Sequence, residues 1–162
     1  MKTFFLDTET TGLHPPNDKL VEIAILDATG EVVLDTLVNP LRPIGFATSI
    51  HGITDEMVVD APTLEDLWPV ISGIIRDNHV VIYNAQFDTR FFPGHLDCAA
   101  QVSCAMVRFA PIYGQWHPVY QDYTWQKLTT AAHFIGYTWV GDAHRALADT
   151  RATRALWNWM DA

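Results

Sequence analysis

Three β-rich runs precede the first helical pattern in this chain, and helix and strand candidates alternate after it. That order constrains the fold more than any other feature. Residues 2 to 7 (KTFFLD), 19 to 28 (KLVEIAILDA) and 31 to 38 (EVVLDTLV) are rich in the aromatic and branched side chains that suit a pleated surface. Thr29-Gly30 turns the second run into the third, so the three predict a meander. Residues 39 to 53, with Pro40, Pro43 and Gly45, read as a connection leading to a short helical segment at 55 to 60. A longer helix is predicted from Thr63 to Asp77. Thr63 can cap it, Asp66 sits three residues on, and Leu64, Leu67, Val70, Ile71, Ile74 and Ile75 mark an apolar face. Pro69 falls inside this pattern and predicts a bend or a break.

His79 to Tyr83 is short, apolar and β-branched, as a buried central strand requires. Beyond it the pattern predicts a helix over Val102 to Ala110, a surface loop over Pro111 to Tyr123, a helix over Thr124 to Ile135 stopped by Gly136, and a last helix from about Arg145 to Trp159. The expected class is α/β, with a mixed central sheet and helices on both faces. A plain dinucleotide-binding or P-loop fold is disfavoured, because neither GxGxxG nor GxxxxGK[ST] is present.

A length of 162 residues, 49% of them hydrophobic, suits one compact domain over residues 1–162. No apolar run approaches the roughly 20 residues needed to span a bilayer, and no secretory leader is recognisable, so a cytoplasmic protein without membrane attachment is expected. Cys98 and Cys104 fit that compartment, and with His95 they lack the spacing of a zinc site. The formal charge of -9 argues against a broad basic face that grips long duplex. It is compatible with a site that holds a few nucleotides through bound cations and local contacts.

Three short blocks carry the candidate chemistry: FLDTETTGL with Asp7 and Glu9, YNAQFDTRF with Asp88, and HRALADT with His144 and Asp149. Asp7 and Glu9, at i and i+2 of a strand end, leave the same face and can converge on the same ions. Carboxylates in apolar surroundings need positive compensation, and hard oxygen ligands suit Mg²⁺ or Mn²⁺. His144 and Asp149 lie about 140° apart around a helix, so regular helical positions cannot aim both inward. His144 is therefore placed on the loop before the helix. Taken singly, each block is equally what a strand-to-turn passage, a helix cap or a solvated helix start would produce.

In order and spacing the blocks resemble the DEDD 3′→5′ exonucleases of the branch with a histidine in the third motif. Asp7 and Glu9 match its DxE, Asn84, Phe87 and Asp88 its NxxFD, and His144 and Asp149 its HxxxxD. The segment IHGIT, Ile50 to Thr54, is similar to one found in the subgroup with bacterial polymerase proofreading subunits and exodeoxyribonuclease X. The resemblance covers roughly residues 4 to 157 and implies an RNase H-like fold. It implies a 3′→5′ DNA exonuclease that uses two divalent cations, Mg²⁺ or Mn²⁺, to release nucleoside 5′-monophosphates from single-stranded or frayed 3′ ends. Asp7, Glu9 and Asp149 would hold one ion, Asp7 would bridge to the second, Asp88 would complete the site, and His144 would act as general base. Thr10, Leu13, His51, Asn84 and Phe87 are implied to contact nucleotide. A small exoribonuclease is the alternative, and a nonhydrolytic polymerase-associated module a more distant one. RNA ends are thus a second candidate partner, and the sequence does not itself indicate a polymerase or homodimer partner. Trp116, Tyr120, Tyr123 and Trp125 form an aromatic cluster that could border a single-strand groove.

Overall fold

The computed structural model describes residues 1–162. Its centre is a five-stranded sheet in the order β3-β2-β1-β4-β5. Strands β1 (Thr3–Thr10), β2 (Leu20–Asp27) and β3 (Val32–Leu37) form the antiparallel meander, while β4 (His79–Ile82) and β5 (Gln101–Cys104) run parallel to β1. The sheet is thus mixed, with β1 at its middle.

Alternation along β1 explains both layers. Phe4 and Leu6 join Ile23, Ile25, Val80 and Ile82 on one face, against Ile71 and Ile75 of α3 (Leu64–Ile75). Phe5 points the other way and joins Leu26, Val81 and Tyr83. Three helices supply that layer: α5 (Ala105–Tyr113) through Phe109, α6 (Leu128–Phe134) through Ala131, and α7 (Ala146–Asp161) through Leu156. Asp7 and Glu9 share the parity of Phe5, so the second layer is the one that meets the acids. Single turns α1 (Thr48–His51), α2 (Asp55–Val58) and α4 (Ala85–Asp88) complete the helices. Ile44, Ala47, Ile53 and Val58 close a small satellite core on Val21 of β2. No helix is long and apolar enough to cross a membrane.

Five elements depart from the sequence expectations. Helix α3 runs through Pro69 as one piece, starting from the expected Thr63–Asp66 capping box. The carbonyl that Pro69 leaves unpaired, that of Glu65, belongs to an exposed residue and can be hydrated. Residues 101–104 form the edge strand β5 instead of the start of a helix, because register with β4 supplies backbone partners that a helix would otherwise provide. Helix α5 extends past Pro111 to Tyr113, where Gly114 adopts a left-handed cap with φ 81°. The expected loop beyond it contains a small hairpin of β6 (Trp116–His117) and β7 (Asp122–Tyr123). Finally, α6 begins at Leu128 and not at Thr124, whose N–H is drawn away by the Gln115 carbonyl at 2.8 Å.

Candidate active site

The sequence TETTGL leaves β1 in a tight turn that fixes where the strand stops. Thr10 donates its hydroxyl to the Gly12 carbonyl at 2.7 Å, and Thr11 donates to Asp18 at 3.0 Å. A Cβ at Gly12 would lie 2.5 Å from the Asp18 carboxyl and would push that side chain out of its bonds to Thr11 and the His14 N–H. His51 braces the same strand end from α1. Its Nδ1 accepts from the Ile53 N–H at 3.1 Å, which leaves Nε2 to donate to the Thr10 carbonyl at 3.2 Å. Burial pushes the imidazole pKa down and favours this neutral tautomer.

From the strand so held, Asp7 and Glu9 project towards α7. Carboxylate oxygens of Asp7, Glu9 and Asp149 all lie within 4.8 Å of one another. Asp149 sits in the first turn of α7, and His144 precedes that helix with φ 64°, a left-handed backbone that costs a non-glycine residue energy. The His144 N–H donates to Asp149 Oδ1 at 3.2 Å, so the fold reverses the chain between the two residues. The imidazole lies exposed at the rim. Asp88 enters from α4, one turn beyond β4, buried to 4% exposure and accepting the Thr8 hydroxyl at 2.6 Å.

Together these residues open onto a cavity of about 560 Å³, which Asp7, Glu9, Asn84, Phe87, Asp88, His144 and Asp149 all line. Thr10, Leu13 and His51 do not line it: Thr10 and His51 are buried behind the strand end, and Leu13 stands 63% exposed on the loop beyond β1. The opposite wall comes from Trp125, Gln126, Lys127 and Trp139.

Electrostatics make the acid cluster costly. Burial first, then the charges of Asp88, Asp149 and Glu9, push the Asp7 carboxyl well above the ordinary range. Burial and the charges of Asp149 and Glu22 raise Glu9 to about 9. Burial raises Asp88 to about 7, against the opposing Thr8 hydrogen bond, and Asp149 to about 6, against the His144 N–H. Like-charged oxygens at this spacing, in surroundings that disfavour charge, fit one or more divalent cations by the chemistry of the donors alone.

One functional neighbour escaped the sequence reading. Glu22 of β2 pairs with Glu9 across the antiparallel register and is 4% exposed. Arg145 grips it with Nε at 3.1 Å from both carboxylate oxygens and Nη2 at 2.7 Å from Oε1, and the Ala146 N–H donates to Oε2 at 2.9 Å. Glu22 thereby holds the N-terminus of α7, where negative charge is favourable, and so fixes the helix that carries Asp149. An acid within the apolar run LVEIAIL was the available signal, since a charge buried on a two-sided strand needs a partner.

Residues 4–157 match the family model described as exonuclease (RNase_T). The chain is 40% identical over 165 aligned positions to the exonuclease CP81 of Escherichia phage 186, covering 94% of this chain and 84% of that protein. It is 32% identical over 155 positions to the PolC-type DNA polymerase III of Caldanaerobacter subterraneus subsp. tengcongensis, covering 93% of this chain but only 11% of the polymerase. A solved structure of exonuclease X in complex with 5′-overhanging duplex DNA superposes with a TM-score of 0.76 at 29% identity, over 98% of this chain and 90% of the other.

Proposed function

The chain belongs to the exonuclease family, and from that membership we propose that it is a metal-dependent DNA exonuclease working 3′→5′ on single-stranded or frayed ends. The observation that carries the reading is the convergence of Asp7, Glu9 and Asp149 to within 4.8 Å at the floor of a cavity rimmed by His144. In this proposal Asp7, Glu9 and Asp149, with Asp88 beside them, would hold two divalent cations. Mg²⁺ or Mn²⁺ so bound would supply an activated water and neutralise charge on the departing 3′ oxygen.

The chain's own groups do the rest. His144, exposed at the rim of the cavity, takes the proton of the attacking water at its imidazole nitrogen. Water oxygen bonds to phosphorus, the bond to the 3′ oxygen breaks, and a nucleoside 5′-monophosphate leaves a shortened strand with a free 3′-hydroxyl. Phe87, with Arg90 lying 5.5 Å from its ring centroid, offers the terminal base a surface that any base can pack against. In this proposal Leu13, on the exposed loop beyond β1 and outside the cavity lining, would wedge against a base, while Thr10 and His51 act through the backbone they hold. Asn84 caps α4 and accepts the Asp88 N–H at its carbonyl, which keeps Asp88 in place.

The test offers the purified protein 3′-labelled and 5′-labelled DNA and RNA of matched sequence, with Mg²⁺ or Mn²⁺, with EDTA, and with Asp7→Ala as control. Terminal monophosphate released from DNA 3′ ends, and lost in EDTA and in the variant, is expected. DNA turnover that survives EDTA overturns the metal mechanism, release from 5′ ends overturns the polarity, and faster RNA turnover makes the enzyme an exoribonuclease.

A further inference from the structure

The β6–β7 hairpin carries apolar surface that the fold leaves uncovered. Trp116 is 53% exposed, Tyr120 78%, Tyr123 37% and Trp125 47%. Aromatic rings that contribute little to a core forgo a large burial gain, so such a cluster marks a contact surface. The rings are also arranged: Trp116 and Tyr123 meet edge to face across the hairpin at 5.3 Å, and Tyr120 lies over His117 at 4.5 Å. Beside Tyr120 and Tyr123 opens a depression of about 440 Å³ lined by His117, Tyr120, Asp122, Tyr123, Thr124 and Trp125, with Trp116 packed against Tyr123 outside it.

Two observations identify what fits there. Trp125 lines both this depression and the active-site cavity, so the aromatic surface continues the wall of the catalytic site. The hairpin is also rooted in that wall: Gln126 donates to Gln115 Oε1 at 2.9 Å and to the Thr124 carbonyl at 3.0 Å, while Tyr83 donates its hydroxyl to the Gln126 carbonyl at 2.7 Å. A second clue is charge. The lining contains Asp122 but no lysine or arginine, so it is unsuited to gripping phosphates and suited to the faces of unpaired bases. Duplex DNA presents phosphates outward and buries its base faces, which excludes it as the occupant.

We propose that the β6–β7 hairpin with Trp125 is a stacking platform for the single-stranded nucleotides immediately 5′ of the one being removed. The proposal rests on the nuclease reading above, because a 3′ end in the cavity leaves only the 5′ portion of the strand to emerge past Trp125. Stacking on Trp116 and Tyr120 adds affinity without reading sequence, and it favours substrates several nucleotides long.

The experiment compares kcat/KM on oligothymidylates from about two to ten nucleotides for the wild type, Trp116→Ala and Tyr120→Ala. The ratio of decamer to dinucleotide kcat/KM should fall about 5- to 100-fold per lost ring, through KM and not kcat. Tyr120→Phe should restore it, because stacking needs the ring and not the hydroxyl. Equal losses at every length, or none at any, overturn the platform. Binding of 5′-fluorescein decathymidylate in EDTA is measured alongside. Aromatic-dependent binding by a protein that cleaves nothing sinks the nuclease reading and leaves only a single-strand stacking surface, whereas cleavage with binding indifferent to both rings overturns the platform and leaves the nuclease reading standing.

Discussion

Replacing Asp7 with asparagine in metal-free protein should raise its stability at alkaline pH, although the same change should abolish activity. Asp7 is 9% exposed among acids, and its carboxyl is raised by burial and by the charges of Asp88, Asp149 and Glu9. Glu9 is raised to about 9, Asp88 to about 7 and Asp149 to about 6. A carboxyl raised in the fold adds stability in full below its unfolded pKa near 4, and loses it as pH climbs through the folded value. The metal-free fold should therefore weaken between about pH 4 and pH 9. For Asp88, going from 3.8 to about 7 corresponds to about 4 kcal/mol in the fully ionised limit. Removing one charge from the cluster should recover about 2–4 kcal/mol at about pH 8.5. It should recover under about 1 kcal/mol at about pH 4.5, where the wild-type cluster already holds its protons. Urea unfolding in EDTA at both pH values measures the difference. With Mn²⁺ at about a hundred times its Kd the order should invert, since the wild type gains about 2.7 kcal/mol and the variant, short of one donor, gains less. Destabilisation of Asp7→Asn in EDTA at alkaline pH, or an equal effect at both pH values, refutes the argument that the acids repel one another in the empty site.

Other perturbations separate the neighbours' roles. His144→Asn, chosen because asparagine tolerates the left-handed backbone, should cut turnover about 10²- to 10⁴-fold and keep the thermal shift on adding Mn²⁺; wild-type rates would remove His144 from proton transfer. Thr8→Val deletes the hydroxyl that donates to Asp88 at 2.6 Å and should weaken Mn²⁺ binding about 10- to 100-fold by calorimetry, against an unchanged affinity if Asp88 stands apart from the metal. Arg145→Ala strands the Glu22 carboxylate, whose side chain is 5% exposed. The cost should be about 2–3 kcal/mol, below the figure for a fully buried pair because Arg145 itself is 38% exposed. Arg145→Lys should recover only part of it, since an ammonium cannot reproduce the two-pronged grip, and an unchanged urea midpoint in Arg145→Ala would refute this role.

What the sequence made legible follows from how local each signal is. The meander, β4, α3 with its capping box and α7 all announce themselves within a dozen residues, through alternation, apolar stripes or caps. Strand β5 does not, because QVSC is a short, half-exposed edge whose extended state depends on pairing with β4, from His79↔Gln101 to Ile82↔Cys104, beyond the reach of any local pattern. Helix α5 was truncated for a related reason: Pro111 lies near its C-terminal end, where one missing N–H costs less than in a helix interior. In the site, the order of the acidic blocks pointed to Asp7, Glu9, Asp88 and Asp149, and the structure gathers all four with His144 around one cavity. The aromatic hairpin was legible as residues but not as a hairpin, since two-residue strands leave too little pattern to read.

Glu22 sharpens the account of the acid cluster, because it explains how a fifth carboxylate can stand beside Glu9 without becoming a ligand. Both of its oxygens are occupied, by the Arg145 fork and by the Ala146 N–H. A cation competing for Glu22 would have to displace a charge-assisted pair and uncap α7, the helix on which Asp149 rides. The pair therefore divides the acids by role: four are left with raised carboxyls that want positive charge, and one has already spent its charge on position. The raised pKa of Arg145, caused first by its hydrogen bond to Glu22, runs in the direction this division requires. Arg145→Met should then do more than loosen α7. With Glu22 released, a further carboxylate faces Glu9, and Mn²⁺ should bind with altered stoichiometry or affinity while turnover falls. Calorimetry on that variant beside Arg145→Met/Glu22→Gln distinguishes the two effects, because the double variant removes the extra ligand and keeps the unanchored helix. Identical Mn²⁺ isotherms for the two would show that Glu22 never becomes available to metal.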